Sequence, residues 1–292
     1  MKIIHFCAGL EGSNGMANTA RQFVAEELAA GHDSMLTNDP KVDLRGADVL
    51  HIHGTWLPVL WKVSKRAKKL GLKVIIRPAG NYDPIRRNFG FLKRLKKLAA
   101  APFEHAMLRR ADVVQATCET EAEWIRAYHP SAHIELTDLT RFFDLSSSSS
   151  SSLRSRPLHV MFLGRVHDPL KGVRYLEQAV KEINNSALQL STSTSTPIDL
   201  HLVSNKYGEE LEKEWDWCDV LCLPTLSENF GRVVAEALAH GKQVITTDGA
   251  PAWRDYFAAH PDCGYYLEHY REGDDKTRVQ LLVDAIKYYL AV

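Results

Sequence analysis

The chain has 292 residues, 45% hydrophobic and 25% charged, which allows one large or two modest domains and excludes wholesale disorder, a collagen-like chain and a disulfide-stapled miniprotein. Lys plus Arg and Asp plus Glu both number 36, so no global charge points to nucleic acid. The balance hides a basic front half (residues 1–145, 21 Lys/Arg against 16 Asp/Glu) and an acidic back half (15 against 20), as expected of two modules facing different partners.

In chain order, Ile3–Cys7 reads as a buried strand and Ala17–Ala30 as a helix. Val49–His53 is a strand, Val59–Leu70 a basic helix and Val74–Arg77 a strand. Phe91–Arg110 is helical with a break expected near Pro102, then Val113–Thr117 is a strand and Glu119–Tyr128 a helix. Ser146–Ser152 is an unbroken serine run, and composition of that kind makes a flexible linker. Behind it come strand His159–Leu163, helix Val173–Ile183, a Ser/Thr loop at 191–197, and strands Leu200–Val203 and Val220–Leu223. Helix Arg232–Ala239, strand Val244–Thr247 and a tail helix at Lys276–Leu290 follow. Short apolar strands alternating with helices imply parallel sheets covered on both faces. The fold class is therefore α/β with two Rossmann-like domains: 1–145, a Ser-rich linker 146–157, 158–275, and a helix 276–292 able to pack back on the first domain.

The five cysteines (Cys7, Cys118, Cys218, Cys222, Cys263) form no CxxC pair, which fits a reducing compartment. The apolar start is too short for a secretory signal, and no window approaches the ~20 apolar residues of a membrane span. A cytoplasmic location is expected.

Ligands of open α/β sheets sit beyond the carboxyl ends of strands, so three motifs after strands carry most weight. The first is Gly9-Leu10-Glu11-Gly12-Ser13-Asn14-Gly15. Its glycines let a ligand approach the backbone, and a helix start favours an anion. The spacing is not the GxGxxG of dinucleotide binders. The second is Gly164-Arg165 through Lys171-Gly172. Arg offers a planar fork and Lys a point charge, a pair suited to a diphosphate. The third is Glu228-Asn229-Phe230-Gly231 leading into a helix that carries Glu236. A loop carboxylate can accept from sugar hydroxyls, and one further along the helix can meet a ribose diol. Read without a ligand, these motifs are a glycine turn, two solvated cations and helix capping. His51 and His53 share one face of a strand, but as a metal pair they lack a third ligand nearby. Trp215, Trp217 and Phe230 read as packing.

With these motifs, the chain resembles the retaining, nucleotide-sugar-dependent glycosyltransferases of family 4, of GT-B fold, whose parallel sheets face a central cleft. The resemblance runs through Gly12–Gly15, Asp48–Trp56, Leu108–Asp112, Glu121–Glu123, the two second-domain motifs and Thr247–Trp253, with Glu228 and Glu236 matching the E-x7-E pattern. It implies a hexosyltransferase moving a sugar from a UDP- or GDP-sugar to a hydroxyl of a glycan or lipid-linked acceptor. Surface polysaccharide or lipopolysaccharide biosynthesis is the implied setting. Arg165 and Lys171 would hold the diphosphate, Glu228 the donor sugar and Glu236 the ribose. Gly164, Asn229, Phe230 and Gly231 would line the donor, and Gly12 and Gly15 would lie near the diphosphate. His53 and Asn81 are the acceptor-side candidates. No cofactor and no active-site metal are implied. The sequence departs from the family at Ala79, where many relatives have a histidine nearby. It also departs between Val203 and Val220, which is short by about one strand-helix unit, and at Thr137–Arg141. Two other functions fit the same residues: a nucleotide-sugar epimerase, and a non-catalytic nucleotide-sugar-binding partner subunit.

Two basic stretches, Lys62–Lys73 and Arg86–Lys97, interleave cations with apolar residues. Such helices can lie in an anionic membrane interface, which predicts peripheral docking of the first domain on the inner face of the cytoplasmic membrane.

Overall fold

The computed structural model describes residues 1–10, 15–145, 157–189 and 198–291. The serine run, the Ser/Thr loop and Gly12 lie outside the described residues. The chain divides into two compact units, Met1–Leu139 and Thr140–Val292.

The first unit runs β1 (Lys2–Cys7), α1 (Gly15–Ala29), β2 (Asp33–Thr37), β3 (Val49–His53), α2 (Pro58–Lys69), β4 (Lys73–Arg77), α3 (Pro84–Asn88), α4 (Phe91–Leu108), β5 (Val113–Ala116), α5 (Glu119–Tyr128) and β6 (Ile134–Leu136). Its six strands are all parallel, in the order β2-β1-β3-β4-β5-β6. All five residues of β3 are buried, as a central parallel strand covered on both faces requires. Helix α2 buries Leu60, Val63, Ser64 and Ala67, one stripe at i, i+3, i+4 and i+7. Pro58 starts it, where a missing N–H costs nothing.

The break expected at Pro102 does not occur, and α4 runs through it. A proline leaves the carbonyl four residues earlier without a partner. That residue is Leu98, 62% exposed, so water can take the bond. Beyond it, Glu104, Met107 and Leu108 are buried and anchor the second half of the helix.

The second unit runs β7 (Leu158–Leu163), α6 (Val173–Gln189), β8 (Ile198–Val203), α7 (Glu209–Trp217), β9 (Val220–Leu223), α8 (Arg232–Ala239), β10 (Gln243–Thr247), α9 (Arg254–Ala259), β11 (Gly264–Leu267) and α10 (Asp275–Ala291). The sheet is parallel, in the order β11-β10-β9-β7-β8. The stretch from Val203 to Val220 holds one helix, α7, and no strand. Tail helix α10 lies along α6, and Asp275 at its start takes hydrogen bonds from Arg174 and Tyr175. The sequence puts the domain boundary at residue 145, whereas the units divide after Leu139. Phe143 belongs with the second unit because its ring lies 6.0 Å from that of Phe230 and under the Arg232 guanidinium.

In both sheets the first strand sits between the second and third, so the chain leaves it toward opposite sides. Each sheet therefore has a switch point, at the carboxyl ends of β1 and β3 and of β7 and β9. The three motifs given most weight in the sequence follow β1, β7 and β9.

Candidate active site

In the second unit the loops after β7 and β9 are fastened together. Gly164 donates its N–H to the Val203 carbonyl at 3.0 Å. Asp168 accepts from the Leu170 N–H at 3.1 Å and caps the turn Pro169–Lys171. The Arg165 guanidinium lies 2.7 Å from the Asp168 carboxylate and is 72% exposed. Gly172 ends the turn at φ +68°, and a Cβ there would overlap the Pro224 carbonyl oxygen. Only glycine satisfies both conditions. The Leu226 N–H (2.8 Å) and Thr225 hydroxyl (3.1 Å) both donate to the Leu170 carbonyl.

This join brings Lys171 against Glu228 in a salt bridge, with side chains 11% and 19% exposed. Residues 57 apart in the chain thus share one place at the switch point. The Glu228 N–H donates to the Gly249 carbonyl at 2.7 Å, and the Asn229 N–H donates to Glu228 Oε1 at 3.1 Å. Phe230 is buried, its ring 5.0 Å from Trp253, whose indole N–H donates to the Phe230 carbonyl. Gly231, at φ +65°, turns the chain into α8.

Glu236 lies within α8 and faces Arg232 at 3.5 Å. Burial pushes the Glu236 carboxyl above its usual range and the Arg232 guanidinium below its own, each opposed by the other's charge. Trp215, by contrast, is fully buried, and Trp217 stacks between His159 and His201.

In the first unit Gly15 opens α1, and its carbonyl accepts from the Thr19 hydroxyl at 2.9 Å. Asn81 turns its side-chain amide to the Pro78 carbonyl at 2.8 Å. His53, at the end of β3, is 1% exposed and packs with His5 and His51. Ala79, near which the sequence departs from the family it resembles, adopts φ +55°, and Trp56 after β3 adopts φ +66°. Such backbone is uncommon outside glycine and gathers at functional loops.

Two carboxylates hold these strained loops, and sequence reasoning assigned neither a role. Glu104 accepts the Trp56 N–H at 2.8 Å and the Tyr82 hydroxyl. Glu121 accepts the Gly80 N–H at 2.6 Å and the Thr117 N–H at 2.8 Å. Both sit on helices that read as ordinary amphipathic segments; the available signal was a carboxylate on a buried helix face.

Residues 21–137 match the family model described as glycosyl transferase 4-like domain, and residues 157–272 that described as glycosyl transferases group 1. No curated protein matches the chain in sequence. Its fold is similar to that of sucrose-phosphate synthase from Thermosynechococcus elongatus, with TM-score 0.73, 16% identity, and 100% of this chain and 90% of that one covered. It is also similar to WaaG, a glycosyltransferase involved in lipopolysaccharide biosynthesis, with TM-score 0.63, 14% identity and 99% and 90% covered. For HepE of Anabaena in complex with UDP-glucose the values are 0.59, 14%, 99% and 94%. With a 4-like domain in the first unit and a group 1 domain in the second, the chain is a glycosyltransferase of the GT-B fold.

Proposed function

We propose that the chain transfers a hexosyl group from a UDP- or GDP-sugar to a hydroxyl of a glycan or lipid-linked acceptor, with retention, in surface polysaccharide or lipopolysaccharide biosynthesis. The observation that carries this reading is the Lys171–Glu228 contact across the switch point of the second unit. The donor diphosphate takes Lys171, with Arg165 on the same loop as the second cation. Glu228 then accepts from hydroxyls of the donor sugar. Asn229, Phe230, Gly231 and Gly164 line the donor, and Glu236 meets the ribose. Charge developing on the leaving diphosphate is neutralised by the two cations and by backbone N–H groups, so no metal ion or cofactor is assigned to the transfer. The similarity to a protein solved with UDP-glucose supports a nucleotide-sugar donor. Gly12, Gly15 and Asn81 stay assigned to the first unit's side of the reaction, whereas His53, 1% exposed with its ring among those of His5 and His51, has no surface to offer an acceptor.

Thermal-shift screening with UDP-, GDP- and ADP-sugars identifies the donor, since a ligand of the native state raises its melting point. Glu228→Gln should then cut transfer by about a hundredfold or more while circular dichroism stays unchanged. Undiminished turnover in that variant rejects the site. Ala79 favours a second reading, a binding-only partner subunit: donor would bind with neither hydrolysis nor transfer over an acceptor panel. An isomerised nucleotide sugar without free nucleotide would instead identify an epimerase.

The membrane-docking surface centres on α3 and α4. Phe91, Leu92 and Leu98 are 76%, 72% and 62% exposed, with Lys93, Arg94 and Lys96 among them. The cations of α2 are partly used within the unit: Arg66 donates to the Val42 carbonyl at 2.6 Å, and Lys68 pairs with Asp112 at 2.8 Å. Among the described residues no helix is long and apolar enough to cross a membrane. The reading is a surface lying on the anionic inner leaflet of the cytoplasmic membrane, next to a lipid-linked acceptor.

A further inference from the structure

The pairing of β1 with β3 sets His5 opposite His51 and Cys7 opposite His53. His51 and His53 share one face of β3, and the register puts His5 on the same face. The three rings form a cluster, with centroids 4.8 Å (His5–His51), 5.2 Å (His5–His53) and 4.3 Å (His51–His53) apart. Phe23 of α1 covers them, its ring 5.2 Å from His51. The residues are 0%, 3% and 1% exposed.

This is costly material for a core. His5 Nδ1 lies 2.9 Å from His53 Nε2. Among the described residues, His51 Nε2 and His53 Nδ1 have no hydrogen-bond partner. An unmet buried nitrogen is costly, a cost that phenyl rings would avoid. Burial, then neighbouring histidines and Arg77, holds His51 and His53 well below the usual histidine range. Neutral imidazole is the form that binds metal ions.

One ligand nitrogen from each ring lies within 4.8 Å of the others. His5 Nε2 faces the Glu27 carboxylate at 2.7 Å, and Ser34 donates its hydroxyl to the same oxygen at 2.6 Å. A carboxylate behind a histidine fixes the tautomer and raises the basicity of the ligating nitrogen. Arg77, opposite His53 in the β3–β4 register, is the charge of the wrong sign, and Glu27 offsets it from the other flank.

We propose that His5, His51 and His53 form a buried site in the first unit for a divalent transition-metal ion of the zinc class, with Glu27 positioning His5. Imidazole ligands suit zinc, nickel or copper and not magnesium or calcium. The ion displaces the proton shared by His5 and His53, and His53 then carries its proton on Nδ1. Its role is to fasten β1 to β3 beneath α1, apart from the transfer chemistry assigned to the second unit.

The test uses the full chain without a histidine tag, equilibrated with chelator, desalted, then titrated with Zn²⁺ by calorimetry and with Co²⁺ by visible absorption. A single equivalent should bind, give the absorption of histidine-ligated cobalt and raise the melting temperature. His51→Gln and His53→Gln should abolish that equivalent. Glu27→Gln should weaken it by about 10- to 100-fold. His201→Gln, at a half-exposed histidine of the second unit, should change nothing. Absent binding, or binding equal in His51→Gln and wild type, overturns the proposal. Should the histidine variants fail to fold, X-ray absorption of the zinc-loaded wild type decides: a spectrum without imidazole back-scattering overturns it.

Discussion

Glu104 shows how one buried side chain sets a pH dependence. Burial pushes its carboxyl up to about 6 from 4.5, against the opposing pull of the Tyr82 and Trp56 hydrogen bonds. The native state therefore holds a proton between those values that the unfolded chain has released. Stability from this group is greatest below about 4.5 and falls as pH rises to about 6, by about 2 kcal/mol. Urea unfolding between pH 4.5 and 7 should show that slope, and Glu104→Gln should flatten it. An unchanged slope in the variant would assign it to other groups. Gly172 makes a steric argument at the same scale. Gly172→Ala places a methyl on the Pro224 carbonyl at a left-handed φ, and should destabilise by about 2–4 kcal/mol. Because the same close approach brings Lys171 to Glu228, the variant should also weaken binding of UDP or GDP. Nucleotide affinity equal to wild type would show that the two loops do not need each other.

At the level of elements, what could be read in the chain was whatever depends on neighbours in sequence. β9, buried at every position, is a continuous apolar run, and β3, equally buried, is apolar apart from His51 and His53. The helix that begins at Arg232 follows a glycine whose left-handed turn starts it. Lys171 and Glu228 were each visible as motif residues, and the structure adds their contact. His5 was not visible as a partner of His51 and His53, because a parallel pair brings together strands far apart in the chain, and no local pattern encodes the register. Pro102 misled for the opposite reason. A local rule was applied to a helix in which Leu98, the residue with the freed carbonyl, is exposed and whose far half is anchored by tertiary contacts. α4 also carries its own prediction. Phe91 and Leu92 pack against little of the unit, so Phe91→Ser with Leu92→Ser should leave the melting temperature within a degree or two. Binding to anionic vesicles should fall by about tenfold or more, since burial of each side chain is worth about 1.5–3 kcal/mol. Retention of vesicle binding in the double variant, or none in wild type at low salt, removes the membrane role.

For the molecule as a whole, each unit has its own sheet, its own core and its own switch point, and the functions proposed for them differ in kind. The second unit is assigned the activated donor through a Lys171–Glu228 pair that a diphosphate would rearrange. The first is assigned the acceptor side and the histidine cluster. Hydrogen exchange can test this division, because a ligand slows only those openings that expel it. An amide whose opening requires ligand release exchanges more slowly by a factor of one plus the ratio of free ligand to Kd. With UDP or GDP at ten times its Kd, amides of 164–172 and 224–231 should exchange about tenfold more slowly. The Leu226 and Glu228 N–H groups, bonded to the Leu170 and Gly249 carbonyls, are the direct reporters. Amides of β1 and β3 should be unaffected by nucleotide. Protection confined to the first unit would move the donor site there, and with it the roles of Arg165, Lys171, Glu228 and Glu236.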